Sequence, residues 1–395
     1  MYVQQLSPFS CEPLTHSTFS SVATLMSLTQ KEWENRSTDE LNKKLKYYCD
    51  KLVPEASGHP LPGFLEKHDL EQGTELGVIG DIHGHEFRLD LTLKALQVKG
   101  VLDQEYRCLP GKRLLFLGDY VDRGQDSLKV LELVVTLKIE QPALVDFLRG
   151  NHEVFSINYM YAACDERFRK YLTEPENENL LQRFYRSLPV STYIGQKTDA
   201  EKMRYMHFTH ALFHLYTDPA PLFQGGESDA RLWVEDAYSF SDRVEGLMND
   251  VKLKTAATKL KGLHREMPIK FDDVYWLDVG LTFSTNDNGR VYIDPETIEA
   301  YCQVSSTETS EVEEITRGHQ SGIWTVKGTK RKVLVTTLDP SKDNEKQTFM
   351  IMRIAEKVCD WSRRFVTLPL KQDFQAALRE MTESSTIPDL SEMDY

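Results

Sequence analysis

The 395-residue sequence contains six cysteines, and no two of them form a C-x-x-C pair. Neither a zinc knuckle nor a disulfide framework is therefore expected, and reduced thiols in an intracellular, cytoplasmic setting are the simplest reading. No Lys or Arg precedes Lys31, and the apolar run from Val22 to Leu28 is short and broken by Ser and Thr. Neither a secretory signal nor a membrane span is expected. Basic side chains are also in deficit, 47 against 61 acidic ones, for a net charge of −14. That charge repels polyphosphate backbones and anionic membranes at long range, so nucleic acid is not expected as a partner. With 40% apolar residues and only 21 Gly and 16 Pro, the chain can bury one large core or two modest ones.

Residues 1–74 read as a partly helical extension: a Ser/Thr-rich start, a charged helix-favouring stretch from Gln30 to Leu52, then the loop-like ASGHPLPG from Ala56. From Glu75 the pattern changes to short apolar runs, each ending in Gly-Asp or Gly-Asn: ELGVIGD, RLLFLGD and LVDFLRGN. These are expected to be buried strands that stop at a functional rim. Helical patterns lie between them, from about Glu86 to Val98 and from about Ser127 to Glu140. Asp81 and Asp119 are 38 residues apart and Asp119 and Asn151 are 32 apart, which suits successive strand-helix-strand units. Such units put consecutive strand ends side by side on a parallel sheet, where ligands gather. The catalytic domain is expected to span 75–355, with 165–270 mainly helical apart from the strand-like RYMHFTH. Residues 356–395 are expected to form an amphipathic helix around Gln372 to Met381 and an acidic tail.

Three motifs stand at those strand ends: GDIHGH from Gly80, GDYVDRG from Gly118 and RGNHE from Arg149, followed by SINYMYAACDE from Ser156. In this order they resemble the serine/threonine-type phosphoprotein phosphatases of the calcineurin-like metallophosphoesterases. The resemblance implies a four-layer α-β-β-α sandwich and a phosphoprotein substrate. It also implies two divalent ions, manganese first, with iron or zinc as alternatives. By resemblance, Asp81 and His83 complete one metal site, Asn151, His210 and His319 the other, and Asp119 bridges them. Two ions about 3.5 to 4 Å apart acidify a shared water and neutralise phosphoryl charge. The implied reaction is attack on phosphoserine or phosphothreonine by a metal-bridging hydroxide, without a phosphoenzyme. His152 resembles the family's general acid, Asp122 its carboxylate partner, and Arg123 and Arg149 the phosphate grips.

The sequence departs from that family in places. The third phosphate-binding arginine of the family is replaced by Val279, with Arg290 downstream as a substitute and Arg317 read as a surface or supporting residue. Ala211-Leu212 follows His210 where the family carries two glycines, and PSKDNEKQ replaces its tyrosine-bearing loop. His85, His207 and His214 compete for ligand roles. A cysteine-nucleophile phosphatase is excluded, since no cysteine has Arg six positions later, and a P-loop enzyme is excluded because no G-x-x-x-x-G-K-[ST] string occurs. Phosphotyrosine or dual specificity, dinucleoside polyphosphate hydrolysis and a non-catalytic scaffold remain as alternatives. Further expectations are a docking partner for either extension and, from the divergent loops and C-terminus, likeness to translocated bacterial effectors of this family.

Overall fold

The computed structural model describes residues 3–5, 19–54, 63–196, 202–211, 219–224, 227–233, 278–279, 284–285, 291–327, 335–340, 343, 345–355, 358–371, 373–386 and 388–389. The three apolar runs that announce the motifs form β3 (Glu75–Ile79), β4 (Lys112–Phe116) and β5 (Val145–Phe147), paired in parallel. Between them lie α4 (Glu86–Val98) and α5 (Ser127–Glu140), at the bounds the sequence gives. β15 (Lys346–Arg353), β16 (Ser362–Pro369) and β17 (Thr382–Ser384) extend this sheet, in the order β17-β16-β15-β3-β4-β5.

The second sheet combines β1 (Val3–Gln5), β2 (Phe64–Leu70), β6 (Ser191–Gln196), β7 (Met203–Thr209), β8 (Asp229–Trp233), β12 (Ser310–Arg317), β13 (Gly322–Val326) and β14 (Val335–Asp339). Its order is β1-β8-β2-β6-β7-β12-β14-β13, with β7, β12 and β14 mutually parallel. The strands β9 (Asp278–Val279), β10 (Ser284–Thr285) and β11 (Val291–Ile293) make a small separate sheet.

Side-chain alternation makes the layers. In β4 and the residue after it, Leu115 and Leu117 join a core between the sheets with Met206, Phe208 and Leu338, while Leu114 and Phe116 turn outward. That outer face is covered by α4, α5 and the N-terminal helices. A third core, with Tyr193, Ile298 and Trp324, lies on the far side of the second sheet. The result is the expected two-sheet α/β sandwich, because period-two strands must bury both faces.

The two extensions are woven into these sheets. Phe64–Leu70 pairs with β6 and β8 inside the second sheet. β16 pairs with β15 over eight residues, from Lys346↔Pro369 to Arg353↔Ser362. The charged stretch from Gln30 is not one helix: a capping box of Thr29 and Glu32 starts α2 (Gln30–Glu34), and α3 (Asp39–Tyr47) follows separately. Within 165–270 the described residues are helical in α7 (Glu166–Leu172) and α8 (Pro175–Arg186), then carry β6, β7 and β8 around the short α9 (Ala220–Gln224).

A buried ionic cluster lies where β2 and β8 approach β5. Arg231 donates to Glu66 at 2.7 Å, His68 Nδ1 lies 2.7 Å from Asp229, and Arg113 and Lys138 both reach Asp146. Burial pulls His68 down, yet Asp146, Asp229 and Glu66 outweigh it and lift the imidazole to about 9. A raised folded-state value stabilises below the unfolded imidazole's pKa of about 6.5 and is lost as pH climbs through the folded one. Tm is therefore expected to fall between about pH 6.5 and 9. His68→Gln should flatten that decline in a thermal-melt series; an unaltered slope would show that another group sets it.

Candidate active site

Every motif residue arrives at one rim because parallel strands end there. β3 delivers Asp81 and His83, β4 delivers Asp119, β5 delivers Arg149, Asn151 and His152, β7 delivers His210, and β12 delivers His319. Six described non-glycine residues have positive φ, and five of them are His83 (50°), Asp119 (53°), Asp122 (72°), Arg123 (63°) and His319 (65°). A left-handed backbone costs roughly 1–3 kcal/mol at such residues, so packing and hydrogen bonds must hold these turns in place. Gly150 shows how tight the approach is: a Cβ there would lie 2.2 Å from Asp119 Oδ1.

The structure brings together all six residues assigned to metal. Asp81, His83, Asp119, Asn151 and His210 are at most 1% exposed and His319 is 8% exposed, so their polar atoms face each other rather than water. His83 Nε2 lies 3.4 Å from Asp119 and 3.8 Å from Asp81, and it has no hydrogen-bond partner among the described residues. His210 Nε2 and His319 Nδ1 each lie 2.8 Å from the same atom, Asn151 Oδ1, and His210 Nε2 is 3.3 Å from Asp119. Because His210 Nδ1 faces the Leu117 carbonyl at 2.9 Å, it carries the proton in the neutral tautomer. The Nε2 lone pair is then aimed at an oxygen acceptor. Acceptors converging on acceptors in a buried space suit a cation, and this mixed oxygen and nitrogen set fits divalent metals. Ligand atoms of His83, Asp119 and His152 lie within 4.8 Å of one another, as do those of Asp119, His210 and His319. Asp119 belongs to both groups.

The charges follow from burial and neighbours. Burial pushes the Asp119 carboxyl up, but His210, His152 and His83 outweigh it and hold it well below the usual range. Burial, then Asp339 and Asp119, push Asp81 well above its ordinary value. Burial drives His83 well below the usual imidazole value, against the pull of Asp119, which leaves its ring neutral and able to donate a lone pair.

His152 and Asp122, both fully buried, form a dyad: Nδ1 lies 2.8 Å from Asp122 Oδ2. Asn158 donates to that same oxygen and to the His152 carbonyl, both at 2.8 Å, and Tyr185 donates to Asn158 at 3.1 Å. Arg123 Nη2 stands 3.1 Å from His152 Nε2, and Tyr161 packs edge-on against the imidazole with ring centroids 5.0 Å apart. Arg149 is held by its Nε donating to the Glu153 carbonyl at 3.1 Å.

Of the competing histidines, His207 stacks on Tyr193 at 4.4 Å in the core beyond the second sheet, because neighbouring strand residues face opposite ways. His85 stands at the start of α4, and His214, Leu212 and Arg290 fall outside the described residues. Arg317 is not a surface residue: it is 0% exposed at the end of β12, where it donates to Gln320 at 2.8 Å. Val279 contributes backbone to β9, opposite Ile293.

Glu153 carried no assignment from the sequence. Its carboxylate accepts the backbone N–H groups of Asp119 and Gly150 at 2.8 Å and of Tyr120 at 2.9 Å, tying the second and third motifs together. Burial and the Asp119 charge push it up to about 8. An acidic residue directly after His152 was visible, but nothing in a linear string says that it folds back on Asp119. Asn158 was missed for the same reason.

Residues 75–320 match the family model described as calcineurin-like phosphoesterase. Among solved structures, a protein serine/threonine phosphatase from Saccharomyces cerevisiae superposes with a TM-score of 0.51 at 18% identity, over 80% of this chain and 82% of that one. A cold-active protein-tyrosine phosphatase from a Shewanella species is similar over 85% of each chain, at 16% identity and a TM-score of 0.45. The first of these likenesses bears on the fold. No helix among the described residues is long and apolar enough to cross a membrane.

Proposed function

We propose, from the premise that this chain belongs to the calcineurin-like phosphoesterases, that it is a metal-dependent protein phosphatase acting on phosphoserine and phosphothreonine. The observation that carries this reading is the buried His152–Asp122 dyad at two groups of potential ligands that share Asp119, one of which includes His152 itself. Asp81, His83 and Asp119 would hold one divalent ion and Asp119, Asn151, His210 and His319 the other, with manganese the ion to load first. When bound, such a pair supplies Lewis-acid neutralisation of phosphoryl charge and lowers the pKa of water.

The remaining roles belong to side chains. Asp122 fixes the imidazole so that Nε2 faces the reacting centre, from which His152 delivers a proton to the departing alkoxide. Arg123 and Arg149 offer planar guanidinium forks to the phosphate oxygens. Tyr161 closes one side of Arg123, with the guanidinium 6.0 Å from its ring centre. An alkoxide is a poor leaving group and needs a proton donor, so a dyad locked at this position supports seryl and threonyl phosphate over substrates with better leaving groups.

The test is an assay of the manganese-loaded protein on matched pSer, pThr and pTyr peptides and a dinucleoside polyphosphate, with a chelated sample as control. Higher kcat/KM on pSer and pThr is expected. Turnover of pTyr alone, or of the dinucleoside polyphosphate alone, would overturn the assignment.

A further inference from the structure

We propose that Asn158 is a positioning residue for the proton donor: with Tyr185 behind it, its carboxamide sets the angle at which Asp122 holds His152. The inference rests on the reading of His152 as the acid and goes beyond it, because the stretch after the third motif, SINYMYAACDE, was given no part in the reaction.

The helix that carries Asn158 is inverted. In α6 (Phe155–Tyr161), Asn158 is the buried residue, 0% exposed, whereas Tyr159, Met160 and Tyr161 are 52%, 63% and 40% exposed. Packing alone would turn the apolar side chains inward and leave the carboxamide in water. A helix that breaks its pattern in this way marks a functional constraint. Burying a carboxamide is costly unless its hydrogen bonds are made, and here they are. Nδ2 donates to Asp122 Oδ2 and to the His152 carbonyl, both at 2.8 Å, and Oδ1 accepts from the Tyr185 hydroxyl at 3.1 Å. These partners also fix which end of the amide is which, since a reversed amide would turn its oxygen toward two acceptors. One carboxamide thus grips both members of the dyad, and α8, through Tyr185, holds the carboxamide.

Among the described residues, the Asp122 carboxylate is hydrogen-bonded by the imidazole and this carboxamide alone: both meet Oδ2, and Oδ1 has no partner there. The Asp122 backbone is anchored separately. Its N–H donates to Ser127 Oγ at 3.2 Å, and the Ser127 N–H donates to Asp165 Oδ2 at 2.8 Å. Asp165 Oδ1 accepts the Phe168 N–H at the start of α7. Losing the Asn158 donors therefore leaves the chain at Asp122 in place and loosens its carboxylate, and the imidazole loses the partner that sets its tilt.

Asn158→Leu keeps the size and removes the donors. In the manganese-loaded full chain, kcat on a phosphoserine peptide is expected to fall about 10- to 100-fold, the scale of a misplaced catalytic group. KM should change little, and the loss should be much smaller on an aryl phosphate, whose leaving group needs no proton. Added to His152→Asn, Asn158→Leu should cost nothing further, because it acts through the imidazole. An unchanged kcat, equal losses on the two substrates, or a second full loss in the double variant would each overturn the proposal. A merely structural residue lowers every activity by one factor, whatever stands at position 152. Should Asn158→Leu not fold, Tyr185→Phe, which removes only a hydroxyl, carries the same test: a smaller loss confined to the phosphoserine peptide is expected, and no loss or an equal one on both substrates overturns the proposal. His152→Asn alone separates the two readings. If it lowers both substrates equally, the acid assignment fails; if it discriminates between them and the Asn158 and Tyr185 variants do not, only the role of Asn158 fails.

Discussion

Replacing His152 by Asn is expected to lower kcat on a phosphoserine peptide by about 10² to 10⁴, and far less on an aryl phosphate. The difference comes from the leaving group. A serine alkoxide is strongly basic and must be protonated as the P–O bond breaks, whereas a nitrophenolate departs without help. His152 is fully buried and locked through Nδ1 to Asp122, which is itself fixed by Asn158. The imidazole therefore has one orientation in which Nε2 can serve. The substituted carboxamide could still hydrogen-bond to Asp122 but could not deliver a proton from the Nε2 position. Measuring kcat and kcat/KM on both substrates checks this, and equal losses on the two would reject His152 as the acid.

Truncation after Glu356 is expected to abolish the folded state rather than to alter regulation. The deleted segment includes β16, which pairs with β15 along its whole length. Val358, Trp361, Phe365, Val366 and Leu368 in it are at most 4% exposed. Burying each large apolar side chain contributes about 1.5–3 kcal/mol, so together they supply on the order of 10 kcal/mol, against a net stability of about 5–15 kcal/mol. Phe374 and Leu378 of the C-terminal helix Phe374–Arg379, and Met381 just beyond it, pack as partly buried residues against the outer core that also holds Val366 and Leu368. That packing suits a cap on the core better than a detachable docking segment. A cooperative thermal melt of the truncated protein within a few degrees of the full chain would refute this account.

The central strands and the two helices between them were legible because their signals are local. β3, β4 and β5 are unbroken apolar runs closed by Gly-Asp or Gly-Asn, and α4 and α5 carry helical patterns that end at Gly100 and before Pro142. β2, Phe64–Leu70, was not legible, since FLEKHDL has the charge density of a surface segment. Its Glu66, Lys67 and His68 are buried only because Arg231, Asp69 and Asp229 come to meet them. β16 was hidden likewise by Arg363 and Arg364, which find Glu314 and Glu75 in the fold.

Sequence alone showed where chemistry-bearing residues cluster: three short motifs at the ends of apolar runs carry Asp81, His83, Asp119, Asp122, Arg123, Arg149, Asn151 and His152. Tertiary structure decided which of those groups meet, that Glu153 ties Asp119 to Gly150, that His207 turns away, and that the His319 backbone N–H reaches the Asp81 carboxylate. The physical reason is range. A motif is written by neighbours in the chain, but a buried polar group is settled by whichever partner the packing brings to it, and 238 residues of sequence separate His319 from Asp81.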